Sequence, residues 1–236
     1  MLLAIVVKGQ EYKKEITAVY RTMSKLERFS VTMKYSMFLD GNFQKSFSSK
    51  EVEVYSDNDK YHMREANRVD VVENGEEYMC IDHKQLTVIY NHTSKEIKQN
   101  YKQQDEMEFN ESINFMEINF DTIMQMATKV TLLKNEFPYK TYEIFYDRYC
   151  DYSKAVYTLD VKRNVFKSIT VTLADPEYLD DLDSKPHTIT LKVDYENFDL
   201  KPIFPVSIFD MTKYIGRNTK GYSLKPALKN YKLQII

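Results

Sequence analysis

The chain of 236 residues is poor in several residue types that mark particular classes of protein. It has no tryptophan, 5 glycines and 6 prolines, which excludes a collagen-like or low-complexity chain. Its 33 lysines and arginines nearly balance 35 aspartates and glutamates, so the basic surface that nucleic-acid binding requires is missing. No apolar run approaches the ~20 residues that a membrane-spanning helix needs.

The two cysteines and four histidines leave few candidates for metal binding or nucleophilic catalysis. Cys80 and Cys150 form one disulfide in an oxidising compartment or remain two buried thiols, and the sequence leaves both open. In VVENGEEYMCIDHKQLTVIY, alternation along a strand points Cys80 and His83 to opposite faces, out of reach of one another. A second pair of zinc ligands is also missing. We therefore expect Cys80 to be structural and Asp82–Gln85 to form a turn.

The other polar segments predict no chemistry either. The acidic stretch ADPEYLDDLDSKP lacks the spacing of a calcium loop, and the polar segment Asn91–Asn114 is expected to be an exposed excursion. His62, His92 and His187 are expected at surface or turn positions. G-x-S-x-G, P-loop and G-x-G-x-x-G motifs are absent. We expect a non-enzymatic protein with no catalytic residues, no metal site and no cofactor.

The chain is rich in strand-forming residues, with 19 tyrosines and 13 phenylalanines. FSVTMKYSMFL alternates apolar and polar residues over its whole length, which indicates a long half-buried strand. Asn74-Gly75 is a strong hairpin signal, because both residues tolerate a positive φ. Similar patterns predict strands at Glu51–Ser56, Tyr61–Asn67, Arg68–Glu73, Glu77–Ile81, Leu86–Tyr90, Tyr139–Tyr149, Ala155–Asp160, Asn164–Leu173, Thr188–Tyr195 and Asn230–Ile236.

Helical spacing appears in fewer places. It predicts one helix from Lys13 to Lys25 and another that starts at an Asp121 N-cap and has Lys134 in its last turn. A short third helix is expected at Asp210–Ile215. The predicted fold is mainly β (α+β): a curved antiparallel sheet of about ten or eleven strands that forms an incomplete barrel, covered by two or three helices.

The first ten residues differ from the remainder. The apolar run Leu2–Val7 is shorter than a secretory h-region of ~7–15 residues and follows no basic segment. We interpret residues 1–10 as the remnant of a signal peptide, with a short strand or a disordered tail as the alternatives, and residues 11–236 as one domain. On this interpretation the protein is exported.

The recurring apolar face of the strands is the feature with functional meaning. It is expected to be plain core in part, but two helices cover little of a wide curved sheet. A remaining apolar cavity would suit an acyl chain, and methionine side chains would adapt to its shape. The candidate cavity residues are Val31, Met33, Tyr35, Met37, Phe120, Ile123, Met124, Ile189, Leu191 and Val193.

The order of elements resembles the LolA/LolB-like outer-membrane lipoprotein carrier family, in a divergent form like those of Bacteroidetes-type bacteria. The resemblance lies in TAVYRTMSKLERFSVTMKYSM, the hairpins around VVENGEEYMCIDHKQLTVIYN, and YTLDVKRNVFKSITVTL followed by HTITLKVDYENFD. It implies a periplasmic, non-catalytic carrier, expected to be a monomer, that holds a lipoprotein acyl chain or another lipid-like ligand. The alternative is an envelope protein with the same fold and a filled core that binds a protein partner through an edge or loop.

Overall fold

The computed structural model describes residues 2–92, 120–173, 188–205, 207–219 and 221–236, and only the backbone of residues 2–7. Residues 93–119 and 174–187 lie outside this range, and with them most of the polar excursion, the acidic stretch and His187. The chain divides into two compact units. The first comprises Met1–Leu26, Met33–Lys50 and Ile113–Glu196, and the second comprises Glu27–Thr32, Glu51–Ser112 and Asn197–Ile236. The expectation of a single domain over 11–236 stays a prediction.

The first unit contains two α-helices, α1 (Leu2–Met23) and α2 (Phe120–Gln125). Helix α1 begins at Leu2 rather than at the predicted Lys13, so the N-terminal apolar run is helical. Its side chains at Ile16, Val19 and Met23 are buried, which confirms the predicted apolar stripe. Neither helix in the described part of the chain is both long and apolar enough to span a bilayer.

A run of antiparallel strands forms the sheet of the first unit, in the order β11-β10-β9-β8-β7. The buried positions alternate along these strands, as at Ala155, Tyr157 and Leu159, because every second side chain faces the helices. Among the strands that the structure describes, β7 lies at the edge and pairs with β8 alone. The strand bounds are β7 (Ala127–Glu136), β8 (Tyr139–Tyr146), β9 (Tyr152–Asp160), β10 (Val165–Leu173) and β11 (Ile189–Asp199).

Strand β7 corrects the prediction for the second helix. The predicted helix ran to Lys134, whereas α2 ends at Gln125 and a strand follows directly. Ala127 and Val130 have helical spacing, but Thr131 beside Val130 is also β-branched, and such side chains pack well on a pleated surface. The segment therefore forms a strand paired with β8, although the spacing of its apolar residues is weakly helical. Asp121 also lies within the first turn of α2 rather than at its N-cap.

Strand β1 (Arg28–Leu39) contributes residues to both units. Val31, Met33 and Tyr35 are buried in alternation, as the sequence predicted. Beyond Tyr35 the buried position moves from the expected Met37 to Phe38.

In the second unit the strand order is β14-β6-β5-β4-β3-β2. Strands β2 to β6 form an antiparallel meander, whereas the C-terminal strand β14 pairs with β6 in parallel. The all-antiparallel prediction is therefore wrong at β14, because the chain returns to β6 through a long connection rather than a hairpin. The bounds are β2 (Ser48–Asp57), β3 (Lys60–Glu65), β4 (Val69–Asn74), β5 (Tyr78–Asp82), β6 (Thr87–Asn91) and β14 (Lys232–Ile235).

The connection to β14 contains its own structure. A 3₁₀ turn at Met211–Lys213 is capped by the Asp210 side chain, in place of the short helix that the sequence predicted. A separate hairpin follows, formed by β12 (Ile215–Asn218) and β13 (Gly221–Leu224), and a second 3₁₀ turn spans Pro226–Leu228. Met211, Ile215 and Leu228 pack on the sheet residues Val72, Met79, Ile81, Val88 and Tyr90.

The turn between β4 and β5 confirms the Asn74-Gly75 signal. The Asn74 side-chain oxygen accepts hydrogen bonds from the backbone N–H groups of Glu76 and Glu77, at 3.2 and 2.9 Å. Gly75 has a φ of 91°, in the left-handed region that favours glycine. The turn fixes the register that places Val72 opposite Met79.

The mainly β class is confirmed. Within the described residues there are 14 strands rather than ten or eleven, and two α-helices. The excess arises from β7, which was predicted as helix, and from the β12–β13 hairpin. Within the described ranges, the outermost strands of the sheet order, β7 and β14, each pair on one side only. The half-barrel shape stays a prediction.

Candidate functional site

A pocket in the first unit lies between the two helices and strands β9, β10 and β11. The strands form the floor of the pocket. Ile169 of β10 pairs with Tyr157 of β9, so the side chains of both residues lie on the same face of the sheet. Its roof comes from consecutive turns of α1 and from α2. The lining residues are Tyr20, Met23, Ser24, Phe120, Ile123, Tyr152, Tyr157, Phe166, Ile169 and Tyr195.

Aromatic rings fill most of this pocket. The ring of Tyr20 stacks on Phe120 with centroids 4.3 Å apart, which joins α1 to α2. Phe120 meets the ring of Tyr157 edge-on at 5.8 Å, and Tyr157 in turn contacts Phe166 at 5.7 Å. The free cavity volume is about 20 Å³, room for about one water molecule.

The tyrosines give the pocket polar groups without charge. Burial, followed by neighbouring tyrosines, raises the pKa of Tyr157 well above its ordinary value, and burial does the same for the pKa of Tyr195. The hydroxyls of Tyr146 and Tyr157 are hydrogen-bonded at 3.0 Å. Burial also raises the pKa of the adjacent Cys150 thiol, which keeps it protonated and unreactive. The pocket therefore offers apolar surface and neutral hydroxyls.

Polar contacts hold α1 in place around the pocket. Glu15 accepts hydrogen bonds from Lys140 Nζ at 2.6 Å and from the Tyr142 hydroxyl at 2.5 Å. Lys13 Nζ donates to the backbone oxygen of Ala127 at 2.6 Å. Together these contacts fix the side of α1 that faces β7 and β8.

An exposed ion pair links the two helices. Arg21 Nη2 lies 3.0 Å from Asp121 Oδ2, and more than half of each side chain is exposed. Because exposed pairs contribute only ~0–1 kcal/mol, this contact holds α2 against α1 weakly.

The predicted cavity residues are only partly brought together. Phe120 and Ile123 line the pocket. The remaining residues do not line it: Met33, Tyr35, Met124, Ile189 and Val193 are buried in the first unit, Met37 and Leu191 are half-buried there, and Val31 is buried in the second unit.

Sequence reasoning missed most of the aromatic lining. Tyr157 occupies an alternating strand position that the period-two pattern marks as buried, whereas Phe166 breaks the alternation of β10 at a register shift between Phe166 and Ser168. The pattern also does not show which buried residues border a gap. Tyr20 lay on the predicted stripe of α1. Only the packing of α1 against α2 shows that it borders the pocket.

A second, polar cluster lies in the second unit around Asp70. His83 Nε2 is 3.0 Å from Asp70 Oδ2, and His62 Nε2 is 3.4 Å from Asp70 Oδ1. His83 Nδ1 lies 2.8 Å from the Tyr231 hydroxyl. Arg64 Nε is 3.7 Å from Asp70 Oδ1. His62 is 6% exposed, so its predicted surface position is wrong, because β3 places it beside the ring of Tyr55 and next to Asp70.

The charge of Asp70 fixes the protons of this cluster. Burial pushes the pKa of Asp70 upward, but hydrogen bonds from His62 and His83 outweigh it and hold the pKa below its usual value. An ionised carboxylate only accepts hydrogen bonds, so both histidines carry a proton on Nε2. His83 Nδ1 is hydrogen-bonded to the Tyr231 hydroxyl, while the buried His62 Nδ1 has no partner among the described residues.

The structure confirms the turn predicted for Asp82–Gln85 and the separation predicted for Cys80 and His83. Asp82 Oδ1 accepts hydrogen bonds from the N–H groups of Lys84 and Gln85, both at 2.8 Å, which forms the predicted turn. Cys80 pairs with Val71, on the face opposite to Asp70, so it does not share a site with His83. Both cysteines are free thiols. Among the described residues, no group of three or more His, Cys, Asp or Glu side chains could hold a metal ion.

Comparison with known proteins finds similarity at the level of structure. No family model and no curated protein matches this chain. Among solved structures, Mycobacterium tuberculosis lipoprotein LppX is 8% identical and covers 81% of this chain and 96% of its own, with a TM-score of 0.41. LprF from Mycobacterium bovis is 8% identical, covers 83% of this chain and 96% of its own, and has a TM-score of 0.38. A LolA superfamily protein from Nitrosomonas europaea is 12% identical, covers 85% of this chain and 96% of its own, and has a TM-score of 0.31.

These similarities assign no ligand and no mechanism to the chain, because the identities and TM-scores are low. One of these solved structures is described as a LolA superfamily protein, the family that the order of sequence elements resembles.

Proposed function

We propose that this protein binds the acyl chain of a lipoprotein, or another lipid-like ligand, in the pocket of the first unit and carries it without catalysis. The observation that carries the proposal is the pocket itself: apolar and aromatic side chains from α1, α2 and three strands converge on one place. Pockets of this composition are typical of sites for apolar ligands.

The pocket accommodates a chain only after its lining moves. Its free volume of about 20 Å³ is far below the few hundred Å³ of a ligand site. Tyr20 and Phe120 close it between the helices, and α2 is only six residues long. We infer that the ligand displaces α2 from α1, which breaks the Arg21–Asp121 ion pair at little cost. Met23 is flexible enough to follow the ligand's shape.

A periplasmic location, export and a monomeric state belong to the same proposal. Export and a periplasmic location are supported by the sequence resemblance to the LolA/LolB-like carriers and by the apolar run Leu2–Val7, and the monomeric state is supported by the resemblance alone. Ten cavity residues were predicted from the sequence. Only two of these ten, Phe120 and Ile123, line the pocket, so the prediction is retained as a proposal only in part.

A second candidate function fits the small cavity volume. With the pocket filled by its own side chains, the protein would act as an interaction protein of the envelope. Its strand β7, which pairs on one side only within the described part of the chain, would accept an extended segment of a protein partner.

Native mass spectrometry and binding of a fluorescent acyl probe test the proposal. We expect the wild-type protein to retain an acyl-containing adduct and to bind the probe. Ser24→Phe places a ring at the pocket rim from an exposed position and is expected to weaken binding at least about tenfold. Ser48→Phe, at an exposed position of the same unit that does not line the pocket, is the matched control and should bind normally.

The contrary outcomes are distinct. A wild-type protein without adduct or probe binding would reject the carrier function and favour the interaction protein. Equal binding by both variants would place the ligand elsewhere in the molecule.

A further inference from the structure

The connection between β7 and β8 carries a prominent apolar surface. Glu136 ends β7 and Tyr139 begins β8, so Phe137 and Pro138 alone form the hairpin end. Phe137 is 81% exposed, and Tyr139 beside it is 39% exposed. Single exposed apolar residues are common, but this hairpin end places two exposed aromatic side chains within three residues of the chain.

A basic turn lies beside this hairpin end. The N–H of Val161 donates to the backbone oxygen of Pro138 at 2.9 Å, which holds the β9–β10 turn against it. Lys162 and Arg163 in that turn are exposed. The buried Asp160 carboxylate accepts hydrogen bonds from their backbone N–H groups, both at 3.1 Å.

The two side-chain cations are largely unneutralised. Arg163 Nε approaches Asp160 only to 3.9 Å, and over half of the Arg163 side chain is exposed. In the described part of the chain, Lys162 has no ion-pair partner. Two exposed cations therefore lie in the turn that is hydrogen-bonded to the Phe137–Pro138 hairpin end.

We propose that Phe137, Tyr139, Lys162 and Arg163, here named the hairpin patch, dock the protein on an anionic lipid surface. Phe137 enters the boundary between headgroups and acyl chains, Tyr139 lies at headgroup level, and the two cations contact lipid phosphates. A lipid surface fits better than a protein partner, because two short turns offer far less than the ~800 Å² per partner of a stable protein interface. This docking does not depend on the pocket being a ligand site.

The absence of tryptophan allows a site-specific test. Phe137→Trp introduces the sole tryptophan of the chain at the hairpin patch. On vesicles of phosphatidylethanolamine and phosphatidylglycerol, we expect its emission to shift to the blue and to be quenched by brominated lipid. Ile203→Trp is the control, since Ile203 is 96% exposed in the second unit, and its emission should not change.

Vesicle co-sedimentation supplies the second measurement. Phe137→Ser is expected to reduce vesicle binding about tenfold, because it removes the aromatic side chain that enters the lipid. Ile203→Ser is expected to bind like wild type. Replacing Lys162 and Arg163 together by glutamine should remove most of the salt dependence. Circular dichroism checks that each variant is folded.

Three outcomes would overturn the proposal. One is an unchanged emission spectrum for Phe137→Trp on these vesicles. Another is sedimentation that survives Phe137→Ser, which would assign lipid binding to another segment such as the apolar run Leu2–Val7. The last is a vesicle-free dimer that Phe137→Ser dissociates, which would identify the hairpin patch as a contact between copies of the chain.

Discussion

Asp70→Asn removes the charge on which two histidines of the second unit depend. Asp70 is 7% exposed and accepts hydrogen bonds from His62 at 3.4 Å and His83 at 3.0 Å. An asparagine keeps one acceptor oxygen, so one histidine N–H would face the amide N–H instead. Hydrogen bonds to a charged group contribute ~1.5–3 kcal/mol each, so we expect the free energy of unfolding to fall by about 2–4 kcal/mol.

Urea unfolding at neutral pH, followed by circular dichroism, measures this loss. Asp121→Asn is the matched control, because Asp121 is an exposed carboxylate paired with Arg21 and should cost only ~0–1 kcal/mol. A loss at Asp70 no larger than at Asp121 would refute the reasoning.

The same variant makes a prediction about pH. Because the folded protein holds the pKa of Asp70 below the 3.8 of an ordinary aspartate, the stabilisation from its ionised form is fully present above that value. This stabilisation is lost progressively as the pH falls from 3.8 through the lower pKa that Asp70 has in the folded protein. The difference in stability between wild type and Asp70→Asn should therefore shrink in that range. A constant difference would contradict the account.

Two further variants test the turn and the attachment of α1. Gly75→Ala places a side chain at a φ of 91° and against the Asp59 carboxylate, so we expect a loss of about 1–3 kcal/mol in thermal or urea unfolding. Glu15→Gln removes the charge that Lys140 and Tyr142 contact; it should lower stability by about 1–2 kcal/mol and speed hydrogen exchange in α1. Unchanged exchange in α1 would show that these contacts do not hold the helix.

The hairpins of the fold were predictable because their signals are local. Alternation of side chains requires no knowledge of distant partners, and the Asn74-Gly75 turn is specified by two residues. The segment Ala127–Glu136 was not predictable in this way, because its weak helical spacing is decided by pairing with β8. The parallel pairing of β14 with β6 brings together residues that no local pattern connects.

The candidate site was predictable in composition more than in position. The sequence placed Phe120 and Ile123 among the candidate cavity residues, and both line the pocket. It did not show that Tyr157 would lie beneath them, because a gap depends on how helices and strands pack together. The burial of His62 was missed for the same reason, since its neighbour Asp70 looks like a surface residue in the sequence.

A photoactivatable fatty acid tests the central claim most directly. After illumination of the bound complex and digestion, mass spectrometry identifies the labelled peptides. The account predicts labels on the helices and strands that line the pocket, around Tyr20–Ser24, Phe120–Ile123 and Tyr152–Ile169. Ser24→Phe should remove the labels and Ser48→Phe should keep them. Labels confined to other segments, or no label at all, would contradict it.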